Sequence, residues 1–359
     1  MGWGTRTRRP SVRVASVTFV VLPALLLSVL SSSCSAPTLE AANPRAVPPK
    51  LVPLRGQPYL QFKVRDDLGR DVVAYVSEPA AGGKALPLAV YVQGSGCGSH
   101  FAREGERWVP RNGHMGLLEA AQGRFRVLIV EKPGVHPGDD PKTPEESAGR
   151  PEFRREHTLE RWTEALLAVV RTARTLPGID RSRLLVVGHS EGGLVVSRLA
   201  RMLPEVTHVA VLAGGGPSQL ADLTALVRKG RFLANVSPDA DAREAALRMA
   251  WQDILAHPDD PDRLFLGHAY PRWASFLASS PVEELSEVRW ARVMVAQGLA
   301  DDAVEPFTAD VLTASLRVQG IDVTEVLVPQ ADHSFAVPGN PRRDGWREVL
   351  GQVADWALS

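Results

Sequence analysis

Residues 184–200 read LLVVGHSEGGLVVSRLA, and this stretch decides the fold. The apolar residues 184–187 predict a buried strand, and the pattern from residue 192 onward predicts a helix. Between them lies Gly188-His189-Ser190-Glu191-Gly192, which is typical of a sharp turn that exposes a serine side chain. Glycine suits residues 188 and 192, because a side chain there would collide with the neighbouring strand or helix. The stretch therefore predicts a strand, a strained turn at Ser190 and a helix.

Short apolar runs on both sides of this stretch alternate with helical patterns. The alternation predicts an α/β fold, with a mostly parallel sheet and helices on both faces. Residues 217–290 interrupt the strand rhythm, and we interpret them as a helical cap inserted into a domain that spans residues 59–359. The predicted strands are 61–65 and 72–77, paired as a hairpin, then 86–92, 126–130, 183–187, 206–212, 292–296 and 322–328; the main predicted helices are 157–176, 192–202, 241–256 and 342–358.

A serine hydroxyl becomes a good nucleophile only when a base removes its proton, so a histidine is expected close to Ser190. In α/β folds with this turn the order along the chain is serine, acid, histidine. His333 is the expected base, because it follows the last predicted strand and precedes the final helix, at the carboxyl edge of the sheet. His208 begins a predicted strand, and His257 and His268 lie in the predicted cap, where surface or packing roles are expected.

The acid that orients this histidine is expected on the turn after the preceding strand, at the same edge of the sheet. The predicted strand 292–296 runs into Gln297-Gly298-Leu299-Ala300-Asp301-Asp302. Asp301 is the expected acid. Asp302 stays open as an alternative, because a shift of one residue in the turn would exchange the two carboxylates.

Two backbone N–H groups near Ser190 are expected to form an oxyanion hole. One belongs to Glu191, the residue after the serine. The other is expected from the loop after strand 86–92, which reads Gln93-Gly94-Ser95-Gly96, and Ser95 is the expected donor.

Together these features resemble the α/β-hydrolase family, particularly bacterial esterases and dienelactone-hydrolase-like enzymes with a Gly-His-Ser-x-Gly-Gly turn. The spacing of Gly298, Asp301 and Val304 resembles the family's G-x-x-D-x-x-V signature. The oxyanion loop departs from the family, which usually has His-Gly where this chain has Gln93-Gly94. The resemblance covers residues 61–359 apart from the cap. It implies hydrolysis of an ester, a thioester or sometimes an amide through a covalent acyl-enzyme, without a metal or organic cofactor.

Three functions remain open at this stage. The first is a serine hydrolase that cleaves a small-molecule carboxylic ester. The second is a peptidase resembling the catalytic domain of the prolyl oligopeptidase group, whose turn also ends in Gly-Gly. The third is a non-catalytic binding protein that retains the fold, although such a protein has no need for Ser190, Asp301 and His333 together.

Charge and the N-terminal segment indicate where the protein acts. Its 359 residues carry 41 Lys and Arg against 41 Asp and Glu, so no overall field attracts nucleic acid. Residues 1–34 combine arginines, an apolar run and Ser-Ser-Ser-Cys34, which predicts an export signal with a lipobox-like end. We therefore expect a cell-envelope lipoprotein anchored through Cys34, or a periplasmic or secreted protein. The proline-rich residues 35–58 are predicted to be a linker.

Some remaining residues are candidates for minor roles only. Cys97 lies on the oxyanion loop outside a strand-to-helix turn, and it is interpreted as a bystander. Glu131 and Lys132 follow a predicted strand and could contact substrate from the loop, but they are interpreted as a solvated pair at the rim of the site. Trp251, Trp273 and Phe276 in the cap could line an apolar pocket or serve as core packing.

Overall fold

The structure is a computed structural model that describes residues 49–79, 83–340 and 342–359. Its strands are β1 (Val52–Pro53), β2 (Tyr59–Arg65), β3 (Asp71–Ser77), β4 (Leu86–Val92), β5 (Phe101–Glu104), β6 (Arg107–Pro110), β7 (Arg126–Val130), β8 (Ile179–His189), β9 (His208–Leu212), β10 (Leu264–Phe265), β11 (His268–Ala269), β12 (Arg292–Gly298) and β13 (Val323–Val328). Its helices are α1 (His114–Ala121), α2 (Pro144–Ser147), α3 (Pro151–Glu156), α4 (Leu159–Ala173), α5 (Glu191–Met202), α6 (Gln219–Arg228), α7 (Ala240–Ala256), α8 (Tyr270–Leu277), α9 (Pro281–Ser286), α10 (Phe307–Val318) and α11 (Gly345–Trp356).

Nine strands form one sheet in the order β1-β2-β3-β7-β4-β8-β9-β12-β13. From β7 to β13 in this order, every strand is parallel to the next. Strands β1, β2 and β3 are added antiparallel at one edge of the sheet. Because β7 and β8 lie on opposite sides of β4, the strand order reverses there, and ligands of open α/β sheets bind beside such a point. The predicted α/β fold with a mostly parallel sheet is therefore confirmed.

The central strands read as continuous apolar runs because both faces of the sheet are covered. In β4, Leu88 and Val90 pack into one core, and Ala89 and Tyr91 pack into the other. Helices α4 and α5 cover the first face, while α1 and α11 cover the second. These two cores fix the sheet, and the loops at its carboxyl edge are held on a rigid frame.

The segment between β9 and β12 contains α6, α7, the short β10–β11 hairpin, α8 and α9. It has a small apolar cluster of its own, to which Leu223, Leu247 and Trp273 belong. Phe276 on α8 instead packs into the main core beneath the sheet's first face. This segment corresponds to the predicted cap, and we keep that name for residues 217–290.

The N-terminal predictions lie largely outside the described residues, since the export signal, Cys34 and most of the linker precede residue 49. Val52 and Pro53, the end of the predicted linker, pair with β2, so this part is sheet and not tether. Across residues 49–79, 83–340 and 342–359, no helix has both the length and the apolar character needed to cross a bilayer.

Candidate active site

The turn at Ser190 joins β8 to α5. Ser190 has φ 55° and ψ −125°, a backbone conformation that non-glycine residues rarely adopt. Its N–H donates to the carbonyl oxygen of Leu212 on the neighbouring strand at 2.9 Å, which helps to hold the turn. A Cβ at Gly188 would lie 2.1 Å from the carbonyl oxygen of Gly192, and one at Gly192 would lie 2.4 Å from that of Val92. Glycine is thus required at both positions, because neighbouring backbone atoms leave no room for a side chain.

His333 and Asp301 are hydrogen-bonded to each other at the carboxyl edge of the sheet. The Nδ1–H of His333 donates to Oδ2 of Asp301 at 2.8 Å. Oδ1 of Asp301 accepts from the N–H groups of Ala303 at 2.8 Å and Val304 at 3.0 Å, which fixes the carboxylate. Asp302, the alternative acid, is exposed and lies 3.6 Å from Arg231. The structure therefore brings Asp301, and not Asp302, to His333.

Several competing effects determine the pKa of Asp301. Burial alone would raise it, but the hydrogen bond and charge of His333, together with the N–H groups of Val304 and Ala303, outweigh burial. The net pKa of Asp301 is lowered, so the group is a carboxylate at neutral pH.

The loop that carries His333 is held against the sheet by two features. A Cβ at Gly298 would lie 2.5 Å from the carbonyl oxygens of Ala331 and Asp332, so glycine permits this close approach. The Nε2–H of His189 donates to the carbonyl oxygen of His333 at 2.9 Å. Burial and the nearby His333 lower the pKa of His189 to about 4, which keeps its ring neutral. Sequence analysis gave His189 no role, although its place next to the serine was a signal.

Ser190 and His333 line two cavities in common. The body-side cavity, of about 450 Å³, lies between the oxyanion loop and α11 and includes Tyr91 and Trp346 in its wall. The cap-side cavity, of about 370 Å³, includes Leu223, Trp273 and Arg272 in its wall. A substrate held across Ser190 therefore has space on both sides of the serine.

The other predicted histidines have different places. His208 is buried at the start of β9, and His257 lies at the end of α7 beside Asp253; neither is among the residues that line the two cavities. His268 does line the cap-side cavity, and burial lowers its pKa to about 3. None of the three is described in hydrogen-bond contact with Asp301, the position that His333 takes.

The predicted oxyanion loop lies directly against the serine. A Cβ at Gly94 would lie 3.0 Å from Cβ and 3.5 Å from Oγ of Ser190. Ser95 lines both cavities together with Ser190. The parallel register explains this proximity, because Val92 at the end of β4 is paired with Gly188 near the end of β8.

The Glu191 side chain belongs to a buried charged cluster that sequence analysis missed. Glu191 is 4% exposed, and its Oε2 accepts from Nε of Arg272 on α8 at 2.8 Å and also from a second guanidinium nitrogen. The Nε2–H of His157 donates to Oε1 at 2.9 Å. Burial opposes ionisation, yet the charge of Arg272, the hydrogen bond from His157 and the charge of Lys132 hold the pKa of Glu191 well below its usual range. The residue after the serine is thus tied to the cap by an ion pair.

The interpretation of Glu131 and Lys132 as a solvated pair is wrong. Glu131 is 2% exposed and Lys132 is 1% exposed. Glu131 accepts hydrogen bonds from Ser99 Oγ and Tyr75 Oη, and burial raises its pKa to about 7. Lys132 donates to two carbonyl oxygens of the oxyanion loop. Both side chains are buried because the loop after β4 folds over them and supplies polar partners.

Three further side chains that sequence analysis named are Cys97, Trp251 and Trp273. Cys97 is buried, its Sγ lies 3.3 Å from the carbonyl oxygen of Glu146, and burial raises the pKa of the thiol. Such a thiol is a poor nucleophile, in keeping with a bystander role. Trp251 packs in the cap cluster, while Trp273 belongs to that cluster and also lines the cap-side cavity. Among the residues that the structure describes, no three His, Cys, Asp or Glu side chains are grouped as metal ligands.

Solved structures share this architecture at low sequence identity. Est1E from Butyrivibrio proteoclasticus, solved with ferulic acid, is 20% identical with a TM-score of 0.53, and the match covers 82% of this chain and 97% of that chain. A Klebsiella pneumoniae protein described as a dienelactone hydrolase is 16% identical with a TM-score of 0.50, covering 83% and 95%. Porphyromonas gingivalis dipeptidyl peptidase 4 is 16% identical with a TM-score of 0.52, covering 84% of this chain and 35% of that chain.

The family assignment comes from the sequence itself. No curated protein matches the chain in a sequence comparison. The model of the alpha/beta hydrolase family, however, matches residues 89–343, which is more than half of the chain and includes Ser190 and His333. Together with the sheet and the glycine-flanked turn, this match shows that the chain belongs to the alpha/beta hydrolase family.

Proposed function

We propose that this hydrolase cleaves a small-molecule carboxylic ester or thioester through an acyl-enzyme on Ser190. His333 is the proposed general base, and Asp301 is the proposed acid that orients it. The observation that carries the proposal is the 2.8 Å hydrogen bond from His333 Nδ1 to Asp301 Oδ2. It leaves the other ring nitrogen free to act as a base, on a residue that lines the same cavities as Ser190.

The proposed reaction has two steps. In acylation, Ser190 Oγ attacks the carbonyl carbon while its proton passes to Nε2 of His333. The bond to the leaving alcohol or thiol then breaks, and the leaving group takes that proton. In deacylation, His333 takes a proton from water, the resulting hydroxide attacks the acyl-enzyme, and the acid is released as Ser190 regains a proton. Asp301 stays ionised throughout and stabilises the imidazolium.

The negative charge on the carbonyl oxygen is proposed to be held by the N–H groups of Ser95 and Glu191. Glu191 begins α5, so its N–H lies at the positive end of a helix. Gly94 lies against Ser190, which supports the placement of the neighbouring Ser95 N–H close to the reacting carbonyl. No metal or organic cofactor is needed for this chemistry.

We propose an ester rather than a peptide as the substrate. The proposal is supported by the likeness to Est1E, which was solved with ferulic acid and of whose chain the match covers 97%. Peptide cleavage remains the second candidate, because the same catalytic groups would serve it.

Reaction with a fluorophosphonate probe tests the proposed nucleophile. Wild-type protein should be labelled, and Ser190→Ala should not be. Ser334→Ala is a matched control, since Ser334 is exposed and lines the body-side cavity but lies outside the turn. It should be labelled normally. Labelling that survives in Ser190→Ala would reject Ser190 as the nucleophile. Wild-type protein that is not labelled would favour the alternative of a non-catalytic binding protein that retains the fold.

Chromogenic acyl esters and aminoacyl amides then separate the two candidate substrates. Esters should be cleaved with the higher kcat/KM. Faster cleavage of the amides would instead assign the protein as a peptidase.

We also propose that the protein is exported and that a lipid on Cys34 provides its membrane attachment, with no role for nucleic acid. Residues 1–34 support this proposal through their sequence alone. In a bacterial host, radiolabelled palmitate should be incorporated into the wild type and not into Cys34→Ala. Equal incorporation in both proteins would refute the lipid attachment.

A further inference from the structure

Lys132 lies in an enclosed site behind the loop that follows β4. It is 1% exposed, and its Nζ donates to the carbonyl oxygens of Gly94 at 2.5 Å and Gly96 at 2.7 Å. The ring of Trp162 lies 4.6 Å from Nζ. A lysine ammonium has three N–H donors, so two carbonyl oxygens and one aromatic face account for its environment.

The hydrogen bond to Gly94 also constrains Ser95. The carbonyl oxygen of Gly94 and the N–H of Ser95 belong to one planar peptide unit, and in a trans peptide they point in opposite directions. Holding the oxygen toward Lys132 therefore directs the Ser95 N–H away from Lys132. The hydrogen bond to the carbonyl oxygen of Gly96 likewise fixes the peptide unit that joins Gly96 to Cys97. The orientation of this loop is thus set from behind by one side chain.

Charge strengthens this arrangement. Burial lowers the pKa of Lys132 to about 8, while the nearby carboxylate of Glu191 opposes that shift, so the group is a cation at neutral pH. A cation bound to a carbonyl oxygen polarises the amide and makes its N–H a stronger donor. Glu191 carries the other proposed oxyanion donor, and its carboxylate interacts with Lys132 through charge.

We propose that Lys132 is a positioning residue that holds the oxyanion loop through Gly94 and Gly96, so that the Ser95 N–H faces the oxygen that becomes negative during catalysis. This proposal rests on the proposed serine hydrolase function. Lys132 acts through the loop and does not touch the substrate. A cation in this place serves the transition state more than substrate binding, because the negative charge develops during the reaction.

The test compares Lys132→Met and Lys132→Gln with Arg126→Met. Arg126 is a matched control, since it is 2% exposed, lies at the start of β7, the strand that Lys132 follows, and donates to the carbonyl oxygen of Ser77 at 2.6 Å. Arg126 is the first residue of β7, so it lies at the amino ends of the parallel strands, whereas Ser190 lies at their carboxyl ends. All three substitutions remove a buried cation, but only those at Lys132 release the oxyanion loop.

The readout is the rate of fluorophosphonate labelling per competent site. In this reaction the Ser190 Oγ–P bond forms, fluoride leaves, the hydroxyl proton passes to His333, and the phosphonyl oxygen occupies the oxyanion hole. The end point counts folded, competent molecules, and the rate constant reports their reactivity. A partly unfolded sample therefore lowers the end point and leaves the rate constant unchanged.

We expect both Lys132 variants to be labelled about 10²- to 10³-fold more slowly, as for loss of one oxyanion donor. In ester assays kcat should fall by a similar factor with KM nearly unchanged. Arg126→Met should keep the wild-type rate constant. Whichever Lys132 variant gives a measurable end point decides the test.

Three outcomes would overturn the proposal. A Lys132 variant labelled at the wild-type rate removes the positioning role while leaving Ser190 as the nucleophile. An equal loss in Arg126→Met shows that any buried cation has this effect. Failure of the wild type to be labelled overturns the proposed function and the role of Lys132 together.

Discussion

Replacing Asp301 by Asn should abolish most activity without unfolding the protein. Oδ1 of Asp301 accepts two backbone N–H groups, so the amide oxygen of Asn must take that place and its NH₂ group must face His333. The NH₂ group can only donate, which forces Nδ1 of His333 to accept and leaves the proton on Nε2. In that tautomer His333 cannot take the proton of Ser190.

The expected loss in kcat is about 10⁴-fold, the value known for this substitution in Ser-His-Asp enzymes. At 1.36 kcal/mol for each factor of ten, this is about 5.4 kcal/mol of activation free energy. Folding should survive, because Gln297, which donates to Oδ2 at 2.9 Å, has an unpartnered Oε1 that it can present to the new NH₂ by rotating its amide.

The assay is kcat for a chromogenic ester, with active-site labelling to count competent molecules. Asp302→Asn is the matched control, since Asp302 is exposed and lies in the same turn. It should retain activity within about twofold, as surface substitutions usually do. Activity that persists in Asp301→Asn but is lost in Asp302→Asn would refute the reasoning.

Three further predictions concern stability, each measured by urea unfolding. Gly188→Ala places a Cβ 2.1 Å from a carbonyl oxygen and should lower the free energy of unfolding by about 3 kcal/mol or more. Gly351→Ala, on α11 with nothing within 4 Å of the added Cβ, should be neutral or stabilising. Equal effects of the two substitutions would contradict the packing argument. Arg272→Met leaves Glu191 buried without its main partner and should lower the free energy of unfolding by about 3–5 kcal/mol. Adding Glu191→Met should restore much of the lost stability. No recovery in the double variant would contradict the ion-pair explanation. Stability should fall as the pH decreases from about 6.5 to 4, because the folded state binds fewer protons than the unfolded state wherever a histidine pKa is lowered. Glu131 and Asp222, with pKa values raised to about 7, oppose this trend but are outnumbered by these histidines. A higher urea midpoint at pH 5 than at pH 7 would contradict the prediction. The histidines whose pKa burial lowers to about 4 are His114, His157, His189 and His208.

The sequence predicted those parts of the fold that depend on local pattern. Strand β7 and the buried parts of β4 and β8 were found because they are continuous apolar runs. The turn at Ser190 was found because close backbone contacts require glycine at residues 188 and 192, which gives a recognisable spacing. Helix α10 and the β5–β6 hairpin were not predicted. The hairpin strands have 4 residues each, and polar residues are spread along α10, so the apolar period is weak in both.

Contacts between distant residues could not be predicted in the same way. Residue type alone favours a solvated surface for Lys132 and Glu131, and nothing near them in the sequence shows that Gly94 and Gly96 turn their carbonyl oxygens toward the lysine. Glu191, His157 and Arg272 come together from three separate segments. Such a cluster depends on how α4, α5 and α8 pack, which a single sequence does not encode in any local pattern.

The pairing of β4 with β8 also has a consequence for how the protein acquires activity as it folds. Gly94 and Ser190 are remote in sequence and meet only after these two strands have closed a long loop of chain. Contacts of such high sequence separation form slowly, because the entropy of loop closure is lost before any pairing compensates for it. A nascent or refolding chain should therefore contain its helices well before it has a competent serine, and hydrolytic activity should be among the last native properties to return.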